Sequence, residues 1–276
     1  MPELPEVEIA ARNLRAWATG RRITAVEAEP AARWVFRPAR PIAFARGVEG
    51  ASFRGIRRIG KQLLVTLERD GAPLGLLAHL GMTGKWVRRA SSDPPTRFSR
   101  ARFALDDGAV LHFVDMRLFG RLRLVPGARF EEVPEIAALG PDPLEEGIDA
   151  DRLHAALART RLAVKVRLLD QALLPGVGNI QASEALFRSR LDPRRRSDSL
   201  TRREAGALAR AVLASVRESI EREEGPEISY VEEPGSENLF LVYAREGERC
   251  PRCRVGRIRR VVQAQRSTFF CPRCQR

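Results

Sequence analysis

Residues 2–8 read Pro2, Glu3, Leu4, Pro5, Glu6, Val7 and Glu8. Pro5 suits the first position of a helix, where its missing N–H costs nothing. Glu6 and Glu8 suit the positive end of that helix. Behind them Val7, Ala10, Ala11, Leu14, Trp17 and Ala18 recur at helical spacing until Gly20, which predicts a helix over residues 5–19. Removal of Met1, favoured by the small residue after it, makes Pro2 the N-terminus and its nitrogen a secondary amine. Such an amine attacks an aldehyde-like carbon directly, and with a reference pKa of about 7.7–8.0 part of it is neutral near pH 7. Glu3, next to it, is placed to carry a proton. By itself this stretch also reads as an ordinary acidic helix start.

From Ile23 to about Val125 the signals are β. Arg57, Arg58, Ile59, Gly60, Lys61 and Gln62 lead into an apolar strand. Ala101, Phe103 and Leu105 alternate with polar neighbours before a hairpin turn at Asp106, Asp107 and Gly108. Many strands with turn signals predict an antiparallel β-sandwich, and residues 91–96, with Pro94 and Pro95, read as a loop. The Pro-, Gly- and acid-rich stretch 126–148 reads as an interdomain linker, and helical patterns follow. Thr201 and Glu204 form a capping box ahead of the apolar stripe Ala205, Leu208, Ala209, Val212, Leu213, Val216 and Ile220. Residues 223–238 hold six Glu with Pro226, Pro234 and Gly235, a loop that phosphate should repel.

With 276 residues the chain is long enough for two cores, and 44% hydrophobic residues exclude disorder. No apolar run spans a membrane and no signal-peptide pattern opens the chain, so a soluble cytoplasmic protein is expected. A net charge of +13 favours a polyanionic partner, most simply nucleic acid. Of 48 Lys and Arg only Lys61, Lys85 and Lys165 are lysines. Where Arg is the default, each lysine points to a place suited to a compact ammonium.

All four cysteines lie near the C-terminus: Cys250 and Cys253 as C-x2-C, then seventeen residues, then Cys271 and Cys274. This is metal-site spacing and not a disulfide framework. Four thiolates leave a zinc ion no open position, so the metal is expected to be structural. Leu174, Pro175, Gly176, Val177, Gly178 and Asn179 precede a helix from Ile180. Asn179 reads as its N-cap, the two glycines allow close backbone approach, and Lys165 is placed to reach the same anion. Two further segments, residues 79–84 and 115–121, carry Met82, Arg117 and Phe119 on tight turns. Such side chains fill the gap left when a base is flipped from a duplex.

Taken in order, these segments resemble the formamidopyrimidine-DNA glycosylase family, bifunctional base-excision repair enzymes. The resemblance covers nearly the whole chain, and Leu4 sets it apart from the related endonuclease VIII branch, which usually begins Pro-Glu-Gly-Pro. It implies an α+β multidomain fold: an N-terminal helix plus antiparallel β-sandwich (residues 1–130), a linker (131–148), a helical domain with a helix-two-turn-helix (149–245) and a zinc-finger β-hairpin (246–276). Pro2 then matches the Schiff-base nucleophile and Glu3 the acid that protonates the sugar. Lys61 matches the lysine of β-elimination and Arg266 the hairpin arginine of δ-elimination. Met82, Arg117 and Phe119 match the void-filling trio, and Lys165 and Asn179 match phosphate ligands. One structural zinc on Cys250, Cys253, Cys271 and Cys274, damaged double-stranded DNA lying across a cleft, and a monomer are implied as well.

Four departures stand out. Arg97, Phe98, Ser99 and Arg100 replace a His-containing segment, Gln181 replaces a Tyr, Leu118 replaces a basic or polar residue, and residues 223–238 replace the Gly-rich loop that closes over a flipped purine. The expected preference for 8-oxoguanine is therefore weak. Oxidised pyrimidines, crosslinks or abasic sites are alternative substrates, and a non-catalytic damage-binding protein is the alternative class.

Overall fold

The structure, a computed structural model, describes residues 2–231, 233 and 235–276. It divides into two compact units. The first holds Met1–Ala137 with Glu223–Tyr230, and the second Ala138–Arg222 with Val231–Arg276.

In the first unit helix α1 (Leu4–Ala18) precedes two four-stranded antiparallel sheets, the β-sandwich expected from the sequence. One sheet has the order β1 (Ile23–Ala28), β6 (Ser99–Leu105), β7 (Ala109–Val114), β5 (Lys85–Ala90). The other has β2 (Ser52–Ile59), β3 (Gln62–Arg69), β4 (Ala72–His79), β8 (Arg121–Pro126). Every residue of β7 is buried, and Trp86 packs on both Phe103 and Phe113 in its sheet. The strand run is interrupted by helix α2 (Pro41–Val48), which the strand pattern does not reveal. Its Phe44 ring meets Phe103 of β6, and a side chain on its Gly47 would strike Leu124 of β8 at 2.6 Å. The helix thus packs against both sheets.

The stretch read as the start of a linker is folded. Phe130, Val133 and Ile136, spaced three apart in two short helical turns ending in α3 (Pro134–Ala137), are buried. The Phe130 ring covers Gly75 of β4 so closely that a β-carbon there would lie 2.8 Å from it. Apolar periodicity inside a polar composition sets this docking.

The second unit carries α4 (Ala150–Ala158), the short α5 (Val164–Arg167), α6 (Asn179–Arg188), α7 (Arg202–Glu223) and a hairpin of β9 (Arg259–Gln263) and β10 (Arg266–Phe270). Leu153, Leu157, Val164, Leu168, Ala182, Leu186, Leu208 and Val212 form one core cluster from all four helices. Gln181, which departs from the family's Tyr, is buried between α6 and α7. Its amide donates to Ser219 Oγ at 3.0 Å and accepts from Ser215 at 2.7 Å. Glu184, unmarked by any sequence signal, accepts the backbone N–H groups of Leu241, Val242 and Tyr243 at 2.8, 2.9 and 3.0 Å. It anchors the chain where it turns toward the cysteines.

Candidate active site and nucleic-acid interface

Pro2 and Glu3 are buried at the head of α1. Glu3 is the N-cap, so Pro5 occupies the second helical position and not the first. The Glu3 carboxylate accepts the N–H of Glu6, and Glu6 Oε2 accepts the N–H of Glu3 at 2.8 Å. This capping box fixes Glu3 beside Pro2 and satisfies two orphan donors of the helix. The residues after it, 4–11, are all buried, well beyond one apolar stripe. Burial, then Glu223, then Glu3 push the Glu6 carboxyl up to about 8, so it is neutral at pH 7.

Lys61 follows Gly60 in the two-residue turn joining β2 to β3, and Gly60 takes the left-handed conformation such turns demand (φ +55°). The turn is held from below. Arg58, with its side chain out of solvent, donates to Gly60 O at 3.2 Å and to Glu8 Oε2 at 2.9 Å. A buried ion pair thus connects α1 to the lysine turn. His79, opposite Gln62 in the sheet, accepts the N–H of Gly81 at 3.0 Å. Burial, then Lys61 and Arg121, lower its pKa to about 4, leaving a neutral imidazole. A cavity of about 460 Å³ opens there, lined by Arg37, His79, Arg121 and Arg123 among others. These basic side chains carry no local signal, because they are scattered along the chain and converge only in the fold.

Met82 lies on the turn after β4, and Arg117 and Phe119 on the turn after β7. Phe119 is half exposed, with the Arg117 guanidinium 5.3 Å from its ring centre. A β-carbon on Gly81 would lie 2.4 Å from Phe119 C, so the two turns touch backbone to backbone. The structure thus brings together the two turns that carry the three side chains.

The acidic stretch after α7 does not hang free. In the first unit, Glu224 pairs with Arg12 at 3.2 Å, Glu227 pairs with Arg89, and Gly225 O accepts from Asn13 at 2.9 Å. Ile228 O accepts from Lys85 at 3.3 Å, and the buried Tyr230 hydroxyl donates to Gly84 O. Glu232 and Pro234 lie outside the described residues.

In the second unit α6 begins at Asn179 with Gly178 as its N-cap, so Asn179 is not the cap expected of it. Its amide is used elsewhere: Oδ1 accepts from Lys165 Nζ at 2.5 Å and Nδ2 donates to Ser267 O at 2.9 Å. Lys165 has no exposed surface and also reaches Thr268 Oγ1 at 3.4 Å. Both side chains brace α6 against β10. Arg266, in contrast, is exposed at the hairpin tip, just after Ala264 and Gln265 at φ +45° and +61°. Two non-Gly residues in that conformation are strained, and they shape the turn that presents Arg266.

The four sulfur atoms of Cys250, Cys253, Cys271 and Cys274 lie within 4.8 Å of one another. Cys250 is 3.8 Å from Cys274, and Cys253 is 3.9 Å from Cys271. A tetrahedron of thiolates with Zn–S near 2.3 Å has edges of about 3.8 Å, so the set fits one zinc ion. Backbone N–H groups, led by Gly256, lower Cys253 to about 6, while burial and the neighbouring thiols raise Cys274 to about 12. A divalent cation relieves that crowding of sulfurs. Zinc here is structural, with four protein ligands and no open position.

Comparison with known proteins accounts for the order of these parts. Residues 1–122 match the formamidopyrimidine-DNA glycosylase N-terminal domain, 139–229 the formamidopyrimidine-DNA glycosylase H2TH domain, and 247–276 the zinc finger found in FPG and IleRS. A formamidopyrimidine-DNA glycosylase of Laribacter hongkongensis is 40% identical over 281 residues, covering 100% of both chains. The crystal structure of the MutM (Fpg) protein from Thermus thermophilus is 39% identical, with a TM-score of 0.81 over 99% of this chain and 98% of that one. A complex of Lactococcus lactis Fpg with DNA containing an abasic site is 26% identical, with a TM-score of 0.85 and 99% of both chains covered. The three domains in this order define a base-excision repair DNA glycosylase. The chain belongs to the formamidopyrimidine-DNA glycosylase family.

Proposed function

We propose that this chain excises damaged bases from duplex DNA and then cleaves the strand, using Pro2 as nucleophile. The observation that carries the reading is Glu3: a carboxyl group with no exposed surface, held by the α1 cap immediately beside Pro2. The Pro2 nitrogen attacks C1′ while Glu3 supplies the proton that opens the sugar. The C1′–N bond to the base breaks, the base leaves with a proton to replace the one the Pro2 nitrogen gives up, and an iminium joins Pro2 to the sugar. The iminium acidifies the C2′ proton. Its loss expels the 3′-phosphate, with Lys61 assisting, and a second elimination expels the 5′-phosphate, with Arg266 on the phosphate. Met82, Arg117 and Phe119 fill the space left by the flipped nucleotide. Lys165 and Asn179 serve the DNA indirectly, by bracing α6 against the strand that bears Arg266. The enzyme works as a monomer on DNA in the cytoplasm.

For the lesion we propose weak selectivity for 8-oxoguanine over an abasic site. Ion pairs and hydrogen bonds tie residues 224–230 to α1, β5 and the Gly84 carbonyl, and carboxylates accept but do not donate. Such a segment is poorly suited to reading a carbonyl-rich purine edge. The test combines borohydride trapping with single-turnover excision of 8-oxoguanine, a ring-opened purine, an oxidised pyrimidine and an abasic site. Trapping through Pro2, lost when Met1 is retained, is expected. Trapping at full yield through a lysine removes Pro2 from the mechanism, and a strong 8-oxoguanine preference overturns the lesion reading.

A further inference from the structure

Asp115 has no role in the chemistry above, yet it is completely buried between the two turns that carry Met82, Arg117 and Phe119. Its Oδ1 accepts the Thr83 hydroxyl at 2.7 Å and the Arg117 N–H at 3.1 Å, and its Oδ2 accepts the Gly120 N–H at 2.7 Å. One carboxylate therefore spans both turns. Its own backbone is fixed in turn: its N–H donates to Phe98 O at 3.0 Å and its carbonyl accepts from Arg100 Nε at 2.7 Å. Arg100 also pairs with Glu29 at 2.6 Å. Phe98 and Arg100 thus give a use to the segment that departs from the family's His-containing one. Leu118, inside the second turn, is left-handed (φ +59°), a conformation that persists only where neighbours impose it. On the far side of the first turn, the Tyr230 hydroxyl holds Gly84 O.

We propose that Asp115 is a positioning residue that makes the two turns one rigid wedge, so that Met82, Arg117 and Phe119 enter the duplex together. The proposal rests on the reading of those three side chains as void fillers. The chemistry of the carboxylate is specific. All three partners donate, so both oxygens must accept. Asn at this position puts an NH2 group against a backbone N–H that cannot turn away. In Thr83→Val the turn keeps its shape and loses only the hydroxyl, whereas Thr83→Ser keeps the hydroxyl.

Two measurements separate positioning from mere stability. The first is the fluorescence of 2-aminopurine placed opposite a tetrahydrofuran abasic analogue, which rises when the wedge unstacks that base. The second is single-turnover excision of ring-opened guanine paired with cytosine, set against cleavage at a preformed abasic site. Asp115→Asn and Thr83→Val are expected to lose the fluorescence rise. Each also slows excision of the paired lesion by roughly ten- to a hundredfold, the scale of one buried hydrogen bond to a charged group. Cleavage of the abasic site falls less, because no pair must be opened, and Thr83→Ser is expected to restore both signals. If Asp115→Asn does not fold, the two Thr83 variants carry the test. If Arg117→Ala abolishes the rise while Asp115→Asn or Thr83→Val, lowered in Tm, keeps it, the positioning role is overturned alone. If Arg117→Ala keeps it too, the void-filling reading falls and takes this proposal with it.

Discussion

At the start of α1, Glu3 and Glu6 close a capping box; at the start of α7, Thr201 and Glu204 close another. The reciprocal hydrogen-bond pattern is the same and the surroundings are opposite. Glu204 is half exposed and pairs with Arg195 at 2.6 Å, and this hydrogen-bonded arginine, with the cap itself, lowers it to about 2. Glu6 is buried beside two other carboxyl groups and rises to about 8. The α7 box starts a helix whose apolar face is core. The α1 box starts a helix whose first residues are the proposed chemistry. A local motif therefore reports where a helix begins, and only its tertiary neighbours decide what charge it holds.

The largest expected effect separates the boxes by activity. Glu3→Gln should lower single-turnover excision by about 10²–10⁴-fold, the range of a lost general acid, with duplex binding reduced far less. Glu204→Gln should leave excision near wild type. Equal losses in the two variants would show that Glu3 acts only as a cap.

Next comes the support beneath each box. Arg58 and Glu8 are both nearly out of solvent, and removing one partner of a buried pair costs up to about 3–5 kcal/mol, a ceiling here because Arg12 still holds Glu8 at 3.0 Å. Arg58→Met should therefore destabilise strongly in chemical denaturation and slow elimination through the displaced Lys61 turn. Arg195→Met, at the half-exposed pair, should cost only about 0.2–1 kcal/mol. Similar costs at both positions would break the contrast between a buried and a solvated frame.

The third test is pH. The Glu6 carboxyl is held above its ordinary 4.5, so the stability it gives as a neutral group is complete below 4.5 and is lost as pH rises toward about 8. Glu204 is held below 4.5, so its contribution is complete above 4.5 and is lost as pH falls toward about 2. Tm measured from pH 2 to 9 should decline on the alkaline side in wild type and flatten there in Glu6→Gln. Glu204→Gln should lower Tm across the range above pH 4.5 and flatten the acid limb. A Glu6→Gln curve that still declines like wild type would place the alkaline loss elsewhere.

What the sequence showed and what it hid follow the same division. The α1 helix, the Asp106–Gly108 turn, the Thr201 box and the cysteine spacing rest on neighbours within a few residues, and each is present. The docking of residues 224–230 depends on Arg12, Arg89, Lys85 and Gly84, far away in the chain, so composition alone suggested a repelled loop. Asn179 followed the residue preference for a cap, but Lys165 and Ser267 from other elements claimed its amide. Asp115 carries no local signal, because its three partners converge only when two turns meet. Pairings across the fold, not local propensity, set these positions.

The smallest effect tests whether the α7 box is as local as it looks. The Thr201 hydroxyl accepts the Glu204 N–H at 3.2 Å, a long bond, while the Glu204 carboxylate accepts the Thr201 N–H at 2.8 Å and Arg195 at 2.6 Å. Thr201→Ala removes the weaker half of the box, together with the hydroxyl's own donation to Glu204 Oε2 at 3.0 Å. The cost should lie near the low end of N-cap substitutions, about 0.5–1 kcal/mol. The remaining turns of α7 are held by Leu208, Val212 and their core partners. Amide exchange should therefore quicken in the first turn of α7 and nowhere else, with excision unchanged. A cost above about 2 kcal/mol, outside the usual range for a cap, or exchange that spreads to α6, would show that this helix start also depends on distant partners. The two capping boxes would then differ in degree and not in kind.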